Sequence, residues 1–200
     1  MEEKARTGMK EQIVAKALRC IDEVYPAEDR LNESYFPTET FIDEMVRWVI
    51  DIVPVHYLTK RSAAKKGIAT VDAEGVGTFA WVTEGRIVYV KASDWKRPVY
   101  GVISESHPLY AQQSNKVLRG NPSRPVAALV DGKTKLELYT MTSSEFESQY
   151  VSYDIENIPE SLISLAAWKL AELVLTSMSD VQSAGVCASK VNEHLQMLVL

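Results

Sequence analysis

The stretch Leu162-Ile-Ser-Leu-Ala-Ala-Trp-Lys-Leu-Ala-Glu-Leu-Val-Leu175 is apolar on nearly every side of a helix. Pro159 precedes it and suits a first helical turn, and only a narrow polar stripe interrupts the apolar surface. A helix with this composition is buried on more than one face. It is therefore either the central helix of a bundle or a helix that lies partly against another subunit.

Helical periodicity also marks the segments on either side of this stretch. Near the N-terminus, one apolar stripe predicts a helix that Pro26 closes. The residues of this stripe are Ile13, Val14, Ala17, Leu18 and Ile21. A second helix is expected from Thr38 or Thr40, and a third, short one from His56 to Lys66, ended by Gly67 as a left-handed cap. The apolar face of the second helix would be Phe41, Ile42, Met45, Val46, Val49, Ile50 and Val53.

The C-terminal segment predicts a final helix that Ser179 and Asp180 open. Its stripe would be Val181, Ala184, Ala188, Val191 and Leu195. The chain then finishes with Met197-Leu-Val-Leu200 and no polar tail. Because a terminus is usually solvated, four apolar residues there indicate docking onto another surface.

From residue 68 to about 157 the apolar residues alternate with a period of two, which predicts strands. Short strands are expected at 79–82, 86–91 and 149–155. A hairpin is expected where Pro125–Val130 meets Lys133–Thr140 across Asp131-Gly132, a turn that needs positive φ. The stretch from His107 to Arg124 reads as a long, partly irregular loop.

These changes of period predict an α+β fold. Residues 1–67 and 158–200 form one helical domain, and residues 68–157 form an inserted, mostly antiparallel β domain.

Composition and charge exclude several classes of protein. The chain has 200 residues, 22 of them Lys or Arg and 27 Asp or Glu, a balance that disfavours direct binding of duplex DNA. The cluster Lys60, Arg61, Lys65 and Lys66 is interpreted as the solvated end of a helix. No leader-like segment or long apolar run is present, so synthesis in a cytoplasm without export or membrane insertion is expected.

The residue patterns of enzymes are missing from the sequence. His56, His107 and His194 have no metal-ligand spacing, and Cys20 and Cys187 lie in apolar helical segments. Gly75-Val-Gly77 lacks the third glycine of a dinucleotide loop, and Gly132-Lys133-Thr134 is better explained by the hairpin turn. We therefore expect no metal, no cofactor and no enzymatic activity, and replacement of His56, His107, Cys20 or Cys187 by Ala should affect stability at most.

Trp48, Trp81, Trp95, Trp168 and the nine tyrosines could line a carbohydrate or peptide groove. At these spacings aromatic residues are more often part of a core or sheet. A soluble binding module therefore stays open as an alternative function.

Three stretches resemble the head-to-tail connector, or adaptor, proteins of tailed phages, and in detail the ring proteins under the portal of crAss-like phages of Bacteroidales. The first is the opening helix pair, Ala17–Pro26 with Phe41–Met45. The second is Gln112–Pro122, followed by Pro125-Val126 and the strand Leu136–Tyr139. The third comprises Ile158–Leu162, Ala167–Lys169 and Ala171.

The resemblance implies a structural virion protein at the head-tail junction. Such proteins form a ring, typically of twelve subunits, that binds the portal and neighbouring tail or ring proteins and forms part of the channel through which DNA passes without specific binding. Within that interpretation, the candidate portal or subunit contacts are Trp168, Leu195, Met197, Leu198, Val199 and Leu200. Another virion component, such as a tail completion or stopper protein, is the alternative.

Overall fold

The computed structural model describes residues 2–25, 36–81 and 85–199, with side chains from residue 8 to residue 198 of those ranges. The predicted α+β fold is confirmed: helices at both ends of the chain flank a β region whose sheets are mostly antiparallel. The chain divides into two compact units, Met1–Leu58 with Tyr153–Leu200 and Thr59–Ser152. They are called the helical unit and the β unit below.

The helical unit contains α1 (Glu2–Val24), α2 (Glu39–Ile52), α4 (Ile163–Ser177) and α5 (Val181–Val199). Helix α4 contacts each of the other three helices, so it is the central helix of a bundle. The sequence left this arrangement and a subunit contact open. The eight buried residues of α4 are Leu165, Ala166, Ala167, Trp168, Leu170, Ala171, Val174 and Leu175.

Helices α1 and α2 turn their predicted apolar stripes toward the bundle, whereas Val181, predicted on the stripe of α5, is 80% exposed. In α1 the buried residues include Ile13, Ala17 and Ile21, and in α2 they are Ile42, Met45, Val46, Val49 and Ile50. The Thr38 hydroxyl accepts a hydrogen bond from the Phe41 amide at 3.4 Å, which caps α2 as predicted. Pro26, predicted to close α1, lies outside the described residues; α1 ends at Val24.

In the turn between α4 and α5, Asp180 opens α5 as predicted, whereas Ser179 ends α4. Ser179 has φ 64°, in the left-handed region that ends a helix. The Asp180 carboxylate then accepts a hydrogen bond from the Ser183 amide at 3.1 Å, as an N-cap residue does. Pro159 starts a 3₁₀ turn, Glu160–Leu162, immediately before α4.

In the part of the β unit that the structure describes, eight strands form two sheets. The first sheet has the order β1 (Ala63–Ile68), β8 (Glu145–Ser152), β4 (Gly85–Ala92), and all its pairs are antiparallel. The second has the order β2 (Thr70–Val71), β3 (Val76–Ala80), β7 (Lys135–Tyr139), β6 (Ala127–Val130), β5 (Ile103–Ser104), with only β5 and β6 parallel. One buried cluster joins the sheets: Ala69, Trp81, Ile87, Val90, Ala92, Trp95, Ala127, Leu136, Leu138, Met141 and Phe146.

The predicted third helix, His56–Lys66 with Gly67 as its cap, is wrong. Two 3₁₀ turns, Val55–Tyr57 and Thr59–Arg61, are followed by strand β1, so residues 59–67 belong to the β unit. Pairing with β8 outweighs the local helical pattern because it satisfies the backbone hydrogen-bonding groups of residues 63–68. Gly67 fits beneath a ring, since a Cβ there would lie 2.5 Å from Cζ of Phe146.

The remaining strand predictions are correct in place and differ in extent. The hairpin exists, but its connection is Asp131–Thr134 instead of two residues, and positive φ occurs at Asp131, Gly132 and Lys133. The other strands are β3 at Val76–Ala80, β4 at Gly85–Ala92 and β8 at Glu145–Ser152. The expected loop of residues 107–124 contains a short helix, α3 (Pro108–Gln112).

Gly85 tests the close approach of β4 to β8. A Cβ at this position would overlap the Val151 carbonyl oxygen and lie 2.6 Å from its carbon. Because backbone cannot yield as a flexible side chain does, Gly85→Ala should lower the free energy of unfolding by about 1–3 kcal/mol, measured by urea denaturation.

The matched control is Gly185→Ala in α5, where, apart from its chain neighbours and the backbone of its own helix, no atom lies within 4 Å of the added Cβ. This change should raise the free energy of unfolding by about 0.5–1 kcal/mol, because alanine is the better helix former. Equal effects from the two substitutions would contradict the described approach at Gly85.

Candidate functional site

Trp168 was a candidate contact for another subunit, and it lies in α4 at 8% exposure. Its neighbour Lys169 is also mostly enclosed: the ammonium lies 4.9 Å from the Trp48 ring centroid and 2.8 Å from Glu172 Oε1. This cation and its partners join α2 to α4 within the bundle. Little of the Trp168 side chain is left to contact a partner.

The C-terminal candidates form the last turns of a helix, because α5 continues to Val199. Leu195 and Leu198 are half-buried, whereas Met197 is 59% exposed. The Val199 side chain and Leu200 lie outside the described residues. Among the described candidates, Met197 presents the most open apolar surface.

Helix α5 exposes two further apolar side chains, Val181 at 80% and Val186 at 44%. Val186 and Met197 are eleven residues apart, three helical turns, so they lie on the same side of α5. Ser189 and Glu193 lie between them on that side and are exposed. The outward side of α5 is therefore mixed in polarity, as in a contact surface that must also tolerate water.

The β unit has a groove that the sequence did not predict. Its volume is about 840 Å³, and strands β1, β4 and β8 supply most of its lining. The lining residues are Lys66, Gly67, Ile68, Phe79, Lys91, Ala92, Ser93, Glu145, Phe146 and Glu147. Phe79 and Phe146 meet edge to face, with ring centroids 5.1 Å apart.

A row of alternating charges crosses the first sheet at this groove. Lys66 on β1 and Lys91 on β4 both pair in register with Glu147 on β8. Glu147 Oε1 also accepts a hydrogen bond from the Tyr89 hydroxyl at 2.8 Å. Partial burial, followed by the effect of Glu147, raises the pKa of Tyr89 to about 12, so this hydroxyl remains a donor at neutral pH.

Chemically, the groove offers paired charges and two aromatic rings. No histidine or cysteine is among the described residues that line it. Ser93 also lines the groove, but no histidine among the described lining residues could activate it as a nucleophile. The groove can hold a ligand or segment through ion pairs and apolar contact, and its geometry assigns no reaction.

The three histidines lie in different elements. His56 is in a 3₁₀ turn, with its ring 4.3 Å from that of Tyr57, and His194 is on α5. His107 caps α3, where its Nδ1 accepts a hydrogen bond from the Leu109 amide at 3.1 Å. Across residues 2–25, 36–81 and 85–199, no group of three His, Cys, Asp or Glu side chains could hold a metal ion.

Cys20 on α1 and Cys187 on α5 are buried in the helical unit. Burial raises the pKa of the Cys20 thiol to about 11 and that of the Cys187 thiol to about 12. Because the thiolate is the nucleophile, neither sulfur is activated at neutral pH.

In the part of the chain that the structure describes, no helix combines the length and apolar character needed to cross a bilayer. Comparison with known proteins found no family model that matches the chain. The curated proteins likewise include no match.

Sequence reasoning missed the groove because its lining comes from strands that are distant along the chain. Strand β8 follows β1 by more than seventy residues, yet the two pair in register. The available signal was the alternation of charged and apolar residues in Glu145-Phe146-Glu147. That alternation predicts a half-exposed strand, and it carries no information on the partner strands.

Because their pKa values are raised, the two buried thiols should react slowly with thiol-specific reagents in the native protein. Native protein at pH 8 should react with a thiol-specific reagent such as DTNB at least about a hundredfold more slowly than unfolded protein, because both thiols are buried and protonated. Ser189→Cys, at an exposed position on α5, is the control and should react at once.

The same shifts fix the sign of a pH dependence. The native thiol pKa values lie above the ordinary value of 9.0, so thiols in unfolded chains ionise first as the pH rises. Their contribution to the free energy of unfolding is complete below pH 9.0 and is lost as the pH rises to about 12. Urea denaturation of Cys20→Ala/Cys187→Ala should show a smaller alkaline loss than wild type; an equal loss would contradict the shifts.

Proposed function

We propose that this chain is a structural subunit of a tailed-phage particle, a head-to-tail connector that assembles into a ring under the portal and forms part of the DNA channel. The function is one of contact and assembly, without turnover. The partners are other copies of the chain, the portal protein and the neighbouring tail or ring proteins.

The observation that carries this proposal is the architecture combined with the placement of the similar stretches. Helices from both ends of the chain gather around α4, and the β unit is inserted between them. The similar stretches fall on α1 and α2, on residues 112–126 with β7, and on α4 with the turns before it. The resemblance to connector proteins therefore involves both units.

The surface supports a role in assembly. Outside its bundle contacts, α5 exposes Val181, Val186 and Met197, and a ring subunit needs such apolar surface for its neighbours. The formal charge of −5 supports a channel role, because a surface that repels phosphate lets DNA slide instead of adhering.

The direct test is negative-stain microscopy and native mass spectrometry of the purified chain, alone and mixed with the portal protein of the same phage. We expect a ring, of twelve copies by the resemblance, that binds portal. Binding to a tail protein without portal binding would favour a stopper or tail completion protein. A stable monomer that binds neither would overturn the proposal and favour a soluble binding module.

A point variant tests the C-terminal contact more cleanly than removal of residues 195–200, because Leu195 and Leu198 are half-buried and contribute to folding. Met197→Glu should preserve the circular dichroism spectrum and weaken portal binding about tenfold or more, since burying a charge against an apolar groove is costly.

Asn192→Glu is the matched control for that variant. It adds the same charge at an exposed position of α5 that lies five residues before Met197, on a different side of the helix. It should change portal affinity much less than Met197→Glu. Unchanged portal binding by Met197→Glu would show that the C-terminal turns are not the docking segment.

A further inference from the structure

Residues His107–Arg124, called the basic lobe below, are set apart from the chain by charge. None of the 27 acidic residues lies between residues 106 and 130, whereas Lys116, Arg119 and Arg124 do. Lys96 and Arg97 adjoin the lobe, because the Lys96 amide donates a hydrogen bond to the Pro122 carbonyl at 2.8 Å. The lobe is therefore a cationic region on an acidic protein.

The base of the lobe is braced by buried polar groups. The Gln113 side chain, 3% exposed, donates to the Leu109 carbonyl at 2.7 Å and accepts from the Gly120 amide at 2.9 Å. Arg119 donates to the carbonyls of Gln113 and Glu74, each at 2.8 Å. These bonds use the Arg119 cation internally and hold the lobe in one conformation.

A second anchor joins the lobe to the second sheet. Tyr110 of α3 packs against the cluster of Ala128, Val130 and Tyr139. The Tyr139 hydroxyl donates to Glu137 Oε2 at 2.6 Å. The lobe is therefore held at its base by hydrogen bonds and by apolar contact.

The tip of the lobe, in contrast, points apolar side chains into solvent. Val117 is 89% exposed and Leu118 is 58% exposed. Lys116 and Arg124 are exposed too, and neither forms an ion pair with any residue that the structure describes. A braced segment that presents an aliphatic tip between free cations is suited to bind an apolar surface bordered by carboxylates.

The chain carries such a surface on α2. Glu39, Asp43 and Glu44 are exposed in the first two turns of this helix, and Phe36, just before it, is 69% exposed. Glu39 is paired with Lys10 at 2.5 Å, but Asp43 and Glu44 form no ion pair among the described residues. These residues, Phe36, Asp43 and Glu44, are called the acidic face.

We propose that the basic lobe of one copy of this chain docks on the acidic face of the next copy. The contact joins two different surfaces, so it is heterologous, the kind that builds a closed ring. This inference rests on the proposed ring function and names the residues through which adjacent subunits meet. Nucleic acid is the less suited occupant, because exposed Val117 and Leu118 offer nothing to phosphate.

Charge reversal on each side tests the pairing. Lys116→Glu/Arg124→Glu and Asp43→Lys/Glu44→Lys should each reduce self-association at least about tenfold, measured by sedimentation velocity and native mass, because like charges then oppose each other. Arg19→Glu/Lys60→Glu makes the same net charge change at two exposed positions outside the lobe, the acidic face and the groove, and should assemble as wild type does. Circular dichroism checks that every variant is folded.

Mixing the two defective variants gives the decisive result. An acidic lobe then meets a basic face, and a basic lobe meets an acidic face, so a 1:1 mixture should reassemble with the two variants in alternation. Native mass would show equal numbers of each. Val117→Ser/Leu118→Ser in an otherwise wild-type chain should weaken self-association about tenfold. Mixing this variant with either charge-reversed variant should not restore self-association.

The outcomes separate this inference from the proposed function. If both reversed variants assemble normally and bind portal, or if the mixture fails to assemble, the lobe-to-face contact is wrong and the connector function stands on its own test. If wild type self-associates as described but binds neither portal nor tail proteins, the connector proposal is wrong and the lobe-to-face contact is still supported. Wild type that stays monomeric with and without portal overturns both. Duplex DNA binding lost in Lys116→Glu/Arg124→Glu, with self-association intact, would assign the lobe to nucleic acid.

Discussion

The burial of α4 on three sides is the constraint on which the helical unit depends. A helix as apolar as Leu162–Leu175 cannot be left facing water, and one neighbouring helix covers only part of its circumference. Helix α2 arrives from the N-terminal half of the chain, and α5 follows α4 directly. The two ends of the sequence must therefore meet, and the β unit between them becomes an insertion. The polar stripe of α4 is used as well, since Lys169 is held by Trp48 and Glu172.

The β unit buries its apolar side chains by a different arrangement. Its two sheets share one core, in which Trp81, Trp95 and Phe146 supply much of the volume. The outer face of the second sheet is covered in part by Tyr110 from the lobe, so a segment with little regular structure becomes part of the packing. Long loops of this kind are usually functional or mobile. Here the buried Gln113 and Arg119 hydrogen bonds hold the loop while leaving its tip outside.

The features of this protein that favour a role in assembly are exposed apolar side chains and an uneven distribution of surface charge. The buried thiols are protonated, the histidines occupy separate elements, and the groove in the first sheet holds paired charges. The prominent open features are apolar side chains on α5 and at the lobe, together with an uneven distribution of charge. Features of this kind stabilise contacts between proteins, where apolar area supplies affinity and charge selects the partner. A ring subunit needs both, because each copy must recognise its neighbour and reject other orientations.

The sequence by itself determined the α+β class, the four long helices and the hairpin. Each depends on local information: a 3.6-residue stripe in α1, caps at Thr38 and Asp180, and a turn at Asp131–Gly132 that requires positive φ. Tertiary structure decided the rest. Residues 63–66 were predicted to be helical, and pairing with β8 makes them part of a strand. The sequence made Trp168 a candidate contact for a partner, but it is mostly buried because three helices pack around α4. The groove and the braced lobe bring together residues that are far apart in the chain. Hydrophobic periodicity predicts which side of a segment is buried, but it does not predict which other segment packs against that side.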